Sequence, residues 1–254
     1  MIITLHFNAK QWQADLSQPL DISIPLKEGE LNPTCYYADP VKFDTIEMGN
    51  FIGSVQRGGS VNYQKISFTP HGNGTHTECY GHLVADPKAT LNSLLNIFHF
   101  ITEVISLRPH FLDNGDALIT LESLKQKIKH PTAKALVIRT LPNDDSKKTR
   151  QYSGTNPPYL EAALTQHLAE KSIEHLLLDL PSVDREVDGG ALSAHKAFWN
   201  LDGIVRKHCT ITELIYVPEH IPDGLYLLNL QITSLEIDAS PSKPVLYKLT
   251  EFLP

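Results

Sequence analysis

Apolar and polar positions alternate, run together or recur at helical spacing in different parts of the chain, and each rhythm predicts an element. Asp21–Pro25 (DISIP) alternates with the period of two of a strand, and Asn50–Gln56 does so ahead of a turn at Arg57-Gly-Gly59. Val61–Phe68 alternates again and stops at Thr69-Pro70. Leu91–Leu107 is strongly apolar, and Ala135–Thr140 (ALVIRT) reads as a strand buried on both faces. Asn143–Pro158, which carries DDSKKTR, Gly154 and two prolines, reads as a surface loop. Leu160, Ala163, Leu164 and Leu168 then recur at helical spacing, with Pro157 and Pro158 standing where a helix starts. His175–Leu180 (HLLLDL) follows as a buried strand, and a helix feeding a strand marks an α/β unit. Ser193–Trp199 predicts a short helix, Thr210–Val217 and Gly224–Ile232 predict strands, Pro241–Pro244 a turn, and Val245–Leu249 a last strand. No repeat or low-complexity linker divides the chain, so the expectation is one α/β domain over 1–254, long enough to bury a core without staples.

Composition narrows the partners. With 41% hydrophobic and 20% charged residues the chain is an ordinary globular sequence, and a net charge of -7 argues against nucleic acid. The densest basic run, Lys147-Lys148-Thr149-Arg150, reads as a solvated loop. The N-terminus lacks a signal-peptide pattern and no stretch reaches membrane-span length, so the expectation is a cytoplasmic protein with no membrane partner. Cys35, Cys79 and Cys209 are odd in number and have no paired spacing, which fits a reducing compartment.

The candidate chemistry lies in His71–His82, HGNGTHTECYGH. On a regular strand His76, Glu78 and His82 share one face while His71, Asn73 and Cys79 share the other. Three potential ligands then converge, and imidazole with carboxylate suits zinc, or manganese where oxygen ligands predominate. The competing reading is a polar exposed strand with tight turns. Cys79 between His76 and His82 is a candidate thiol nucleophile, set against the commoner role of a small buried residue. Further ligands must come from elsewhere. His195 lies on the short helix, whereas His110, His130, His175 and His220 sit at turns or element ends and read as surface residues. Glu213, in TITELIYV, is either exposed or buried with a partner. Tyr36, Tyr37, Phe43 and Trp199 are candidates to line a pocket for a planar substrate or to pack the core.

These residues resemble the cyclase family, which includes bacterial kynurenine formamidases and isatin hydrolases. Gly74-Thr75-His76-Thr77-Glu78 with His82 resembles its G-T-H-x-[D/E]-x-x-x-H signature, and Asp21–Leu26 its opening D-[IL]-S-x-P-[LI] strand. Leu178–Asp184 is similar to its D-x-P-S-x-D turn, Ala194-His195 to its downstream ligand histidine, and Thr212-Glu213-Leu214 to its ligand glutamate. The resemblance implies a swivelling β/β/α fold, a homodimer or larger assembly, and one or two divalent ions, zinc or manganese. It implies His76 and Glu78 as ligands, Glu78 able to bridge two metals, and His82, His195 and Glu213 completing a second position or moving protons. The implied chemistry is hydrolysis of a small amide or cyclic amide by metal-activated water, with a histidine protonating the leaving nitrogen.

Two departures bear on this. The family's further ligand histidine falls at Gly72, and His71, one residue out of register, points to the wrong face of a regular strand unless the backbone bulges. Glu78 stands where the family usually has Asp, and Tyr80 where it has Pro. The alternative expectation is therefore a binding protein on the same fold with reduced or lost catalysis.

Overall fold

Strands buried on both faces organise the molecule. In a computed structural model, which describes residues 1–252, the strands His99–Leu107, Ala135–Thr140, His175–Leu178 and Thr210–Glu213 lie parallel to one another. The sheet continues antiparallel through His76–Cys79, Ala239–Lys248 and Gly224–Ile232, which returns to His99–Leu107. Among the described residues these seven strands close into a barrel-like ring, and Leu20–Asp21 pairs antiparallel with Ala239–Lys248.

Alternation assigns the side chains to two cores. Val104, Ala135, Val137 and Leu177 turn into the ring with Tyr226, Leu228 and Leu246, while Ile105, Leu136, Ile138, Leu176 and Leu178 face outward. Three helices cover that outer face: Leu121–Lys127 through Leu124, Ala162–Glu170 through Leu164 and Leu168, and Ser193–Trp199 through Phe198 and Trp199. Elsewhere on the ring, a three-stranded sheet of Ile2–Phe7, Lys10–Asp15 and Thr250–Glu251 packs Leu5, Trp12 and Ala14 against Leu225, Leu227 and Leu249. The result is a mixed α/β architecture of sheet, barrel and helices, as the resemblance implies.

Several local expectations give way to longer-range contacts. Asp21–Pro25 is a strand only at Leu20–Asp21; Ile22 and Ile24 are buried all the same, and the Ile24 N–H donates to the Thr75 hydroxyl at 2.8 Å. Pro241–Pro244 is no turn but part of the Ala239–Lys248 strand. Its prolines fall where this strand leaves His76–Cys79 for Gly224–Ile232, so their missing N–H groups interrupt little pairing. The helix behind Pro157 and Pro158 begins later, at Ala162, because Tyr159–Leu160 first pairs with Ala117–Ile119. Thr210–Val217 stops as a strand at Glu213, since Leu214 takes a left-handed conformation at φ 53°. Lys147 is not solvated: it is buried against Asp179.

His175 is not a surface residue either. It is 2% exposed, its Nδ1 lies 2.9 Å from the Thr210 hydroxyl, and its ring packs 3.9 Å from that of Phe100. Burial, aided by the positive charges of His208, Arg206 and Lys134, pushes its pKa down to about 3. A folded state that refuses a proton the unfolded chain accepts loses stability as pH falls below the unfolded pKa of about 6.5. We expect His175 to contribute a slope of about 1.4 kcal/mol per pH unit below that point. Urea unfolding between pH 7 and 5 should show a shallower slope for His175→Gln; equal slopes would refute the assignment.

Candidate metal centre

The ring brings His76, Glu78 and Glu213 together through strand register. His76 pairs with Glu213 across the antiparallel ladder and Glu78 lies two residues on, so all three side chains leave the same face. The His76 Nε2 atom is 3.4 Å from Glu213 Oε2. On the opposite face, Thr77 meets the Thr212 hydroxyl at 2.8 Å and Cys79 enters the ring interior. Burial pushes the Cys79 thiol up to about 12, and its Sγ donates to the Ala89 carbonyl, which removes the nucleophile reading.

His71 and His82 reach this face by a different route. The strand spans only His76–Cys79, between 3₁₀ turns at Pro70–Gly72 and Tyr80–Leu83. Strand alternation therefore does not extend to either histidine, and a positive φ of 69° at Gly74 resets the chain direction between His71 and the strand. The expectation that His71 faces away unless a strand bulges is corrected: it enters through the 3₁₀ turn, with Nδ1 3.1 Å from Glu78 Oε2. Its Nε2 meets Asp238 Oδ2 at 2.8 Å, and the same oxygen lies 3.2 Å from His82 Nδ1.

The helix Ser193–Trp199 delivers His195. Asp184 accepts the N–H groups of Ala194 and His195 at the start of this helix, and its Oδ2 also lies 2.6 Å from His195 Nδ1. His195 Nε2 then faces Glu78 Oε1 at 3.0 Å and Glu213 Oε1 at 3.9 Å. Burial works against a charge on this ring, but Glu78 and Asp184 outweigh it and raise its pKa to about 10. His71 is likewise raised to about 10, where hydrogen bonds to Asp238 and Glu78 overcome its burial. Burial alone would raise the Glu78 carboxyl; His195 and His71 instead hold it well below the ordinary range.

These contacts meet a simple test of fitness for a cation. His76 Nδ1 lies 3.1 Å from the Gly74 carbonyl, which can only accept, so the proton sits on Nδ1. His76 Nε2 is the nitrogen left over, fully buried without a hydrogen-bond partner and 3.4 Å from a carboxylate oxygen. A buried polar atom left this way costs about 1–3 kcal/mol, whereas a divalent ion accepts both groups. Two donor sets, His76–Glu78–Glu213 and His71–Glu78–His82, each bring their ligand atoms within 4.8 Å of one another and share Glu78. His195 joins neither set, although its Nε2 contacts the shared carboxylate.

The cluster opens on a cavity of about 290 Å³, lined by Tyr36, Ser182, Arg185 and Leu192 around His71, His82 and His195. A larger groove of about 720 Å³ beside Arg108 and Glu122 holds none of the expected ligands. Of the aromatic candidates, Tyr36 lines the cavity, Trp199 is core, Tyr37 is exposed and Phe43 lies in the Lys42–Thr45 strand. Two carboxylates went unassigned at the level of sequence. Asp184 ends the D-x-P-S-x-D turn and was legible as part of that motif, but Asp238 carries no spacing that sets it apart.

The family described as "Putative cyclase" matches residues 14–185. The kynurenine formamidase of Bacillus anthracis is 26% identical over 233 residues, covering 91% of this chain and 95% of that protein. That of Bacillus cytotoxicus is 26% identical over 242 residues, covering 95% and 99%. Among solved structures, a predicted metal-dependent hydrolase from Bacillus stearothermophilus superposes with TM-score 0.62 at 18% identity, over 91% of this chain and 98% of its own. An isatin hydrolase bound to the product analogue thioisatinate gives 0.60 at 14% identity, over 92% and 93%. The structural likeness speaks for the fold, and the match of the family model across most of the chain establishes the kinship: this chain belongs to the cyclase family.

Proposed function

We propose that the chain is a metal-dependent hydrolase acting on the carbon–nitrogen bond of a small amide or cyclic amide, in the manner of an arylformamidase. The observation that carries this reading is His76 Nε2, a buried nitrogen without a hydrogen-bond partner that faces Glu213 within a donor set sharing Glu78. Support comes from kynurenine formamidases similar to this chain over nearly its whole length.

His76, Glu78 and Glu213 would hold one divalent ion and His71, Glu78 and His82 a second, with zinc favoured by this donor chemistry and manganese the alternative. An ion bound there supplies Lewis-acid polarisation of the amide carbonyl and lowers the pKa of water. The chain's own residues do the rest. Asp184 holds His195 with Nε2 turned to Glu78, where the ring can take up or deliver a proton. His195, which belongs to neither donor set and lines the cavity, is then the histidine free to protonate the leaving nitrogen, while His82, with Nδ1 beside Asp238, would serve the second ion. Tyr36 and Leu192 offer walls to a flat substrate such as N-formylkynurenine.

The alternative of a non-catalytic binding protein drew on the departures at Gly72 and Glu78, and His71 beside Glu78 speaks against the first of them. Three buried, unpaired cysteines support a reducing, cytoplasmic setting. A homodimer or larger assembly rests on the family resemblance. No helix among the described residues is long and apolar enough to cross a membrane.

Elemental analysis of protein purified without added metal, with a screen across arylformamides and cyclic imides before and after chelation, tests the proposal. We expect bound zinc or manganese, turnover lost on chelation, and lower metal content in His76→Ala. No turnover on any of these substrates, together with unchanged metal in His76→Ala, would sink it.

A further inference from the structure

Position 72 has no room for a side chain. A Cβ there would lie 2.3 Å from Ala38 Cβ and 3.3 Å from the Cys35 carbonyl oxygen. The conflict cannot relax easily, because the Cys35 N–H donates to the Gly72 carbonyl at 3.0 Å and ties the two segments together. A histidine can enter the site from this turn only at the neighbouring position, and His71 does so.

What aims the His71 ring is Asp238. One oxygen of its carboxylate, Oδ2, takes His71 Nε2 at 2.8 Å and His82 Nδ1 at 3.2 Å, and the two rings lie 4.2 Å apart with their planes 33° from parallel. With Nε2 held on Asp238, His71 presents Nδ1 to Glu78 Oε2. Asp238 is itself fixed by the strand that carries Glu78: its carbonyl accepts the Cys79 N–H at 3.0 Å, and Ala239 pairs with Glu78. Clamp and carboxylate therefore share one frame. A carboxylate on the far nitrogen of a metal-binding imidazole fixes its tautomer and raises its basicity.

We infer that Asp238 is a positioning residue that holds His71 and His82 against Glu78, so that His71 serves as a metal ligand in place of a histidine that position 72 cannot carry. The inference rests on the metal-dependent reading, and the test separates the two. Cobalt(II) is titrated into metal-free full-length protein and followed by its visible absorption and by zinc competition. Asp238→Ala should weaken one binding step by about 10- to 100-fold and leave the other as in the wild type. His71→Ala should weaken the same step, and the double variant should lose less than the product of the two single losses. Gly72→His should fail to rescue His71→Ala.

An Asp238→Ala isotherm equal to the wild type, losses that multiply in full, or rescue by Gly72→His would each overturn the inference while leaving the metal-dependent reading intact. Asp238→Asn, which keeps the side-chain shape, gives the same comparison if the alanine variant does not fold. A wild-type chain that takes up no cobalt overturns both.

Discussion

Replacing Glu78 by glutamine is expected to cost more than any other single change at the site. The two oxygens of this carboxylate serve different partners, Oε1 facing His195 at 3.0 Å and Oε2 facing His71 at 3.1 Å, and the residue is common to both donor sets. An amide of the same shape keeps the volume but loses the charge and one acceptor. Both donor sets are weakened together, whereas His76→Ala leaves the His71–Glu78–His82 set whole. Metal-assisted stabilisation of a developing charge is worth several kcal/mol, and each 1.36 kcal/mol is tenfold in rate, so kcat/KM should fall by about 10³ or more. Metal content after dialysis should fall with it. Glu78→Asp, the side chain the family usually carries, should retain metal and lose much less. A Glu78→Gln enzyme with wild-type metal and turnover would rule out the shared-carboxylate site.

The second large effect lies away from the chemistry. Lys147→Met should lower the free energy of unfolding by about 3–5 kcal/mol, the cost of stranding a buried charge. The Lys147 ammonium donates to Asp179 Oδ2 at 2.7 Å and to the Thr140 carbonyl at 2.6 Å, and both ends of the pair are buried. Burial raises the Asp179 pKa, against the pull of Lys147. A carboxyl with a raised folded pKa contributes its stability below the unfolded value and loses it as pH rises through the folded one. Without Lys147 the folded pKa rises further, so the penalty should shrink towards acid pH. Lys147→Met/Asp179→Asn should recover part of the loss, because the buried charge is gone and Asn still accepts from the Thr140 N–H. Urea unfolding decides it: a single variant within about 0.5 kcal/mol of the wild type would mean that the pair is energetically silent.

These two sites divide what was legible from what was not. The Glu78 cluster was largely readable, because a period of two places His76 and Glu78 on one face without reference to the rest of the molecule, and the motif pointed to His82, His195 and Glu213. Lys147 was misread because a KKTR run within a polar stretch looks solvated until a buried aspartate, 32 residues further on, is found beneath it. His175 was misread for the same reason, its burial coming from Phe100 and Thr210 on neighbouring strands.

The sequence by itself determined the strands Ala135–Thr140 and Gly224–Ile232, the helix Ser193–Trp199 that carries His195, and the shared face of His76 and Glu78, since these depend on side chains a few positions apart. Only the tertiary structure decided which way His71 turns, because a 3₁₀ turn and a positive φ at Gly74 end the alternation that would have predicted it. The tertiary structure also brought Asp238 to His71 across 167 residues and to His82 across 156. No local pattern encodes such pairs: the closure of the ring sets them, by laying Ala239–Lys248 against His76–Cys79.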